Sequence, residues 1–423
     1  MLGMLALLAL GTPVALALLV AGASGLLAHG GMPMVLGILK TSAGSAASSY
    51  ELISIPMFML MAEFVILSGV ADNLFRSAST WVGRLPGGLG IATTLAGAGF
   101  AAISGSSTAS AATLSSTTIP AMLRQGYEPR MACGVVAISG TLAMLIPPSI
   151  ALILYGIVAN VSIGKLLIAG VVPGVLVTLT IIVTVMFLVW QDPARAPSAG
   201  AFTWREKLAT LPLIGPMLLL FGVVTGLIYT GVTTPTESAA LGAFGAMLLA
   251  MRAGKIDRRS LTGALTRAAL STCMILFIIL GAHVFGYYFA LAQVTPQVIA
   301  WVGELHLPPL AVMTFILAGL VVLGCVMDQA AIIILTVPVL LPVVKSLGFD
   351  PIWFGVILIV VAEVGLVTPP VGLNSFVVAR YTGRPLSEVF GGIMPHVVAH
   401  LLLIVVLVLF PQIVLWLPST MVR

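Results

Sequence analysis

Long apolar runs, broken at intervals by short polar stretches, dominate this chain. Apolar segments fall near residues 1–28, 51–70, 131–158, 165–190, 211–229, 236–251, 268–292, 352–380 and 392–418. Each is long enough for a membrane-crossing helix, which predicts about nine spans. Two further regions, 87–123 and 308–345, are apolar but interrupted by Gly, Pro, Ser or Thr, so neither reads as one clean helix. Residues 29–50, rich in Ser and Gly, are a candidate interfacial segment. The predicted class is an all-α polytopic membrane protein.

The interruptions recur. Shifted by 222 residues, the chain aligns with itself without a gap over a long window: Pro120 meets Pro342, the stretch 126–129 (GYEP) meets 348–351 (GFDP), and Pro147-Pro148 meets Pro369-Pro370. Upstream, WVGRLP at 81–86 resembles WVGELHLP at 301–308. Two repeats follow. Residues 1–210 hold one interrupted region (87–123) and one proline-broken span (131–158); residues 211–423 hold their counterparts (308–345 and 352–380). Each interrupted region is expected to form a re-entrant hairpin. Proline removes a backbone donor and blocks helix continuation, so two matched proline pairs favour two deliberately broken helices over simple kinks.

Composition agrees: 60% of the 423 residues are hydrophobic and 7% charged, with a mean hydropathy of +1.20. No soluble globular protein of this size is so poor in charge. The N-terminal run lacks a basic leader and a clear cleavage site and reads as a first span, not a signal peptide. Cys133, Cys273 and Cys325 sit in apolar sequence and read as packing residues. The net charge of +5 is concentrated in loops. Residues 252–267 carry Arg252, Lys255, Arg258, Arg259 and Arg267 against Asp257, and Arg195, Arg205 and Lys207 mark another polar loop. These charges flank spans rather than line one face, which argues against nucleic-acid binding and puts both loops in the cytoplasm. Tracing the spans outward, the first hairpin starts on the cytoplasmic side and the second outside, so the repeats have opposite topology. Inverted repeats with broken helices are the architecture of secondary transporters, with sites near the midplane.

The stretch 103–120, ISGSSTASAATLSSTTIP, crowds hydroxyls into small-residue sequence suited to an anion or Na⁺; close helix packing is the plain alternative. A serine nucleophile would need a positioned His, and none of the five histidines offers a recognisable partner, so no enzyme is expected. At the 222 offset Ser106 aligns with Asp328, an acid at membrane depth and therefore a functional candidate. Glu63 reads as a structural hydrogen-bond hub, and Glu363 as a proton site or such a hub. His396 and His400 share a helical face, but HExxH would need Glu at Val397, so packing or headgroup contact is expected. TTPTESAA at 233–240 reads as a turn and a helix start.

Together SGSSTASAA, MLIPPSI, TPTESAA, CVMDQAAIIILTVPVLLPV and GLVTPPVGLNSFV resemble the large membrane subunit of TRAP (tripartite ATP-independent periplasmic) transporters, over essentially the whole chain. The resemblance implies an elevator-type transporter of the bacterial cytoplasmic membrane. It also implies two partners: a small four-helix membrane subunit, expected as a separate chain, and a periplasmic substrate-binding protein. Na⁺ is the implied coupling ion, with H⁺ as the alternative, and a carboxylate such as a C4-dicarboxylate or sialic acid the implied substrate. One Na⁺ site would join Ser104, Gly105, Ser106 and Ser107 to Pro147 and Pro148. The other would join Gly324 and Asp328 to Thr368, Pro369, Pro370 and Gly372. Substrate would sit near Ser106, Ser107, Asp328 and Asn374. Some relatives carry Asp-Pro where this chain has Asp328-Gln329, a departure from the family pattern at that tip. The runner-up reading is a stand-alone divalent-anion:Na⁺ symporter; a membrane scaffold or intramembrane enzyme is the alternative of another class.

Overall fold

The computed structural model describes residues 2–198, 200, 202–254 and 256–421, all helix or connecting loop. Lys255, one of the basic residues of the 252–267 segment, lies outside them. In chain order the helices are α1 (Leu2–Ala9), α2 (Val14–Ser48), α3 (Ser54–Ser68), α4 (Val70–Val82), α5 (Gly88–Ser104), α6 (Ser107–Thr117), α7 (Ile119–Arg124), α8 (Pro129–Thr141), α9 (Ile150–Ala159) and α10 (Ile163–Gln191). Then come α11 (Trp204–Tyr229), α12 (Pro235–Arg252), α13 (Arg258–Leu291), α14 (Val294–Glu304), α15 (Pro309–Gly324), α16 (Gln329–Ser346), α17 (Pro351–Val367), α18 (Leu373–Thr382), α19 (Leu386–Leu409) and α20 (Gln412–Ser419). Among the described residues, seven helices are long and apolar enough to cross a membrane. The broken segments 131–158 and 352–380, read above as spans, are each two shorter helices.

Several boundaries differ from expectation, each for a local reason. The first apolar run is split after α1, where Gly11 takes φ 79° ahead of Pro13. Residues 29–48 continue α2 as helix, with a kink at Gly31 (φ 71°) just before Pro33. The 252–267 segment is largely the start of α13, because Asp257 and Ser260 cap its first turn reciprocally. Asp257 consequently holds its carboxyl below the usual range through the Ser260 hydrogen bonds. Thr234 and Glu237 form the same box on α12, the helix start read from TTPTESAA. Residue 210, the expected repeat boundary, falls inside α11.

The 222 offset aligns the starts of α6 with α16, α8 with α17, α9 with α18 and α10 with α19 to within a residue. It also pairs α2 with α12 and α3 with α13. Packing crosses between the repeats: α2 lies along α13, and α3 along α12. The two broken helices run antiparallel. At one end, Arg130 of α8 lies against Gly391 and Gly392 of α19, the helix that follows α18. At the other, the Tyr155 hydroxyl of α9 donates to the Pro351 carbonyl at the start of α17 (2.6 Å). The polar loop after α10 closes the base of the first hairpin: Gly87 N–H donates to Ala196 O, Glu128 N–H to Arg195 O, and Arg195 pairs with Glu128 at 3.6 Å. That loop and that hairpin base thus share one side of the molecule, as the charge pattern predicts.

Close helix crossings use glycine. A Cβ on Gly392 would lie 1.9 Å from the Arg130 carbonyl oxygen, and one on Gly134 2.3 Å from Gly392. Gly392→Ala is therefore expected to cost about 1–3 kcal/mol by overpacking against backbone. Gly391→Ala, whose Cβ meets only the movable Arg130 guanidinium at 3.3 Å, should cost less. Thermal denaturation of the detergent-solubilised protein checks the difference.

Candidate ion and substrate site

Each hairpin tip is a helix end, a short turn and a new helix start. In the first, α5 stops at Gly105, whose φ of 58° suits glycine, and Ser106 caps α6 by accepting from Ala109 N–H at 3.4 Å. Gly105 is also required sterically, since a Cβ would lie 3.2 Å from the Pro148 carbonyl oxygen. The hydroxyls of Ser104 and Ser110 hydrogen-bond across the turn at 2.7 Å. In the second tip, Asp328 caps α16 by accepting from Ala330 N–H at 3.2 Å. Ser106 and Asp328, 222 residues apart, do the same structural task, but only one of them is an acid.

The proline pairs interrupt the helices beside these tips, and neighbouring groups take up the freed backbone. The peptide bond within each pair is cis. At the first break, Ser149 accepts from Leu152 N–H (3.1 Å) and donates to the Met144 carbonyl. At the second, the Val371 and Gly372 N–H groups both donate to the Cys325 carbonyl, at 3.2 and 3.4 Å, stitching the break to the second tip. Ser375 donates to the Val367 carbonyl at 3.2 Å. Gly324 packs on Gly365, where a Cβ would meet backbone at 2.9 Å. Each tip therefore rests on the break of its own repeat.

Both tips reach one cavity of about 380 Å³. Ser104, Gly105, Ser106, Ser107 and Asp328 line it, as do Met144, Ile150, Leu366 and Leu373, which flank the two breaks. Pro147, Pro148, Gly324, Thr368, Pro369, Pro370 and Gly372 are not among its lining residues; Pro147, Pro148, Gly324 and Gly372 are buried, whereas Pro369 and Pro370 are exposed. Asn374 is not part of the wall: Leu373 takes that position, and the next residue on a helix is turned about 100° away. Asn374 is fully buried, and its amide has no hydrogen-bond partner among the described residues.

The opposite wall is missing from the sequence reading. Met59, Glu63 and Ile66 of α3 and Ser271, Met274 and Ile275 of α13 complete the cavity. A signal existed, because α3 and α13 are repeat counterparts and Glu63 is an acid within a span. Glu63 is more than a hub, since it faces the cavity. Gln329 also lines it and donates to the Ile359 carbonyl at 3.4 Å. Glu363 lies off the cavity, buried, with neither carboxylate oxygen partnered among the described residues. His396 and His400 are fully buried, so they do not meet headgroups; His400 Nδ1 lies 2.8 Å from the His396 carbonyl oxygen. Among the described residues, no three His, Cys, Asp or Glu side chains cluster to hold a metal. Cys273, read as packing, is exposed; Cys133 and Cys325 are buried.

The donors at the tips are hydroxyls, backbone carbonyls and one carboxylate, all oxygen, which suits a hard cation such as Na⁺ rather than a soft metal. Each tip also presents a helix C-terminus (α5, α15) beside a helix N-terminus (α6, α16). The carbonyl ends favour a cation and the N–H ends an anion. The two hairpins are held differently. The first packs on α3, α4 and α11, with Leu74 and Met217 against Gly99. In the second, α15 packs chiefly on α16 and α17, and an apolar groove of about 510 Å³ separates it from α14.

Over residues 1–413 the sequence matches the family described as "Tripartite ATP-independent periplasmic transporter, DctM component". It is 38% identical over 371 residues to the C4-dicarboxylate TRAP transporter large permease protein DctM of Pseudomonas aeruginosa, spanning 88% of this chain and 86% of that protein. It is 31% identical over 414 residues to the isethionate TRAP transporter permease protein DctMQ of Oleidesulfovibrio alaskensis, spanning 96% of this chain and 64% of that one. Among solved structures, the Alcanivorax borkumensis YdaH transporter superposes with a TM-score of 0.69 over 90% of this chain and 89% of its own, at 15% identity; this is a likeness of fold.

Charge and capping at Asp328 are separable. Asn caps about as well as Asp, whereas Ala does not. Asp328→Ala should lose about 1 kcal/mol of stability, and Asp328→Asn close to none, by thermal denaturation of the purified protein.

Proposed function

The chain belongs to the DctM component family of TRAP transporters, and on that footing we propose that it is the large permease of a Na⁺-driven organic-acid importer. It is a multi-pass protein of the bacterial inner membrane and a transporter, not an enzyme. In this reading it works with a small four-helix membrane subunit and a periplasmic binding protein that delivers the substrate. The tripartite family description supports both partners, and the longer DctMQ relative supports the membrane one. The relatives' names, C4-dicarboxylate and isethionate, support a small organic anion as substrate.

The observation that carries the reading is the meeting of both hairpin tips at one cavity, with Asp328 at one tip and Ser106 at the equivalent point of the other. Na⁺ would sit where tip and break adjoin: Ser104, Gly105, Ser106 and Ser107 beside Pro147-Pro148, and Gly324 and Asp328 beside Thr368, Pro369, Pro370 and Gly372. The anion would lie between the tips, held by Ser106, Ser107 and the N-termini of α6 and α16. Loading cation and anion together lowers the charge that the tips carry through the membrane, so the ion gradient drives the acid. The antiparallel broken helices support two inverted repeats, 1–210 and 211–423, with α11 spanning their junction. An elevator is supported by the unequal seating of the hairpins: the first packs on α3, α4 and α11, whereas the second meets α13 and α14 through α16 and leaves a groove between α15 and α14.

Two substitutions test this in proteoliposomes that hold the permease and its membrane partner, with binding protein outside. Asp328→Asn should weaken Na⁺ activation of uptake about ten- to hundredfold, the scale of one lost charge-assisted contact; wild-type activation would remove Asp328 from the ion site. Replacing Pro369 and Pro370 with Ala should let α17 continue and weaken Na⁺ binding; unchanged affinity would reduce the break to a kink. Uptake that needs no binding protein would favour a stand-alone symporter.

A further inference from the structure

The cavity poses an electrostatic difficulty for an anion. Its described lining residues include two carboxylates, Glu63 and Asp328, and no Lys, Arg or His. Asp328 sits at a tip, where the proposed function supplies a cation. Glu63 does not: it lies on α3, in the opposite wall, away from the hairpin ends and breaks. An uncompensated carboxylate there would repel every organic acid entering the site.

One cation reaches it from outside the wall. Arg267 of α13 contacts Glu63 Oε2 through Nη2 at 2.7 Å and donates to the same oxygen through Nε at 2.8 Å. The Glu63 side chain is 16% exposed and that of Arg267 54%, so the pair runs from the cavity wall toward the surface of the molecule. Ser271, one turn beyond Arg267 on α13, lines the cavity. We propose that the Arg267–Glu63 pair sets the electrostatic potential of the scaffold wall, with Arg267 cancelling Glu63 so that a small organic anion can occupy the cavity. Arg267 is then a positioning residue that acts through Glu63 and determines acceptance by substrate charge, dianions depending on it more than monoanions. The inference rests on the organic-acid reading above.

The potential can be measured without knowing the substrate. In a full-length protein with Cys133, Cys273 and Cys325 replaced by Ala, Ser271→Cys places a reporter thiol in the cavity wall. Its modification rates with an anionic and a cationic methanethiosulfonate are compared in native membrane vesicles. Arg267→Gln should lower the anionic-to-cationic rate ratio by about an order of magnitude, as expected for one added net charge nearby. Glu63→Gln should raise the ratio, and the Glu63→Gln/Arg267→Gln double variant should return to within about twofold of the reporter protein. Arg267→Lys, which keeps the charge, should leave the ratio unchanged and guards against misfolding of the Gln variant.

An unaltered ratio in Arg267→Gln would overturn the proposal. So would a double variant as low as Arg267→Gln alone, because the pair would then only brace α3 against α13. Organic-acid uptake by the wild-type system is measured separately. If that fails while the thiol ratios behave as stated, the organic-acid reading falls and the electrostatic role of the pair stands.

Discussion

A backbone polar group inside a membrane must find a partner within the protein or face a water-filled space. This constraint organises the molecule more than any single contact. Four interruptions, two hairpin tips and two proline breaks, lie within apolar sequence, and each is supported from inside. Ser149 and Ser375 bond to carbonyls left over at the helix ends, and the Cys325 carbonyl takes two N–H groups from the second break. Ser106 and Asp328 cap the helices that restart at the tips. Because each break leans on a tip and each tip opens on the cavity, satisfying the backbone and building a binding site become one problem with one solution.

The same logic explains why small residues gather at these points. Gly105 and Gly324 let tips approach breaks at backbone distance, and Ser104 and Ser110 close their turn with a bond that larger side chains would prevent. The wall opposite is built differently, from the helices α3 and α13, whose cavity-facing side chains are larger and mainly apolar. A compact unit rich in glycine and hydroxyl groups thus faces a bulkier frame, with the cavity at the seam between them. Such a seam can shear without unpicking hydrogen bonds on either side, since the stitches described above lie within the compact unit.

Much of this was legible in the sequence because it is written locally. Proline pairs break helices wherever they occur, Ser and Asp cap them, and the 222-residue recurrence needs only counting. Hairpins, breaks and tip residues follow from those signals. The opposite wall was not legible in that way. Glu63 and Ser271 share a cavity only because α3 packs on α13, and no local pattern states which two apolar helices will adjoin. Asn374 was carried over from the family resemblance, yet it lies off the cavity wall, where Leu373 stands. The unexpected helical stretches at 29–48 and 258–267 arose where caps or a glycine hinge outweighed a polar composition. Cys273 was read as a packing residue from its apolar neighbours, but it is exposed; in a membrane helix an apolar neighbourhood is equally the face turned to lipid.

The crossed packing of the two repeats also bears on how the protein is made. α2 finds its main partner in α13, and α3 in α12, so neither of the early helices meets its mate until the second repeat emerges. About 240 residues separate the end of α2 from the end of α13, which at translation rates of about 5–20 residues per second is a wait of order ten to fifty seconds. During that interval the first repeat must rest in the bilayer or against the insertion machinery with its partner faces uncovered. The fold is therefore assembled by interlocking and not by adding one finished half to another, and the halves are committed to each other from the moment of synthesis.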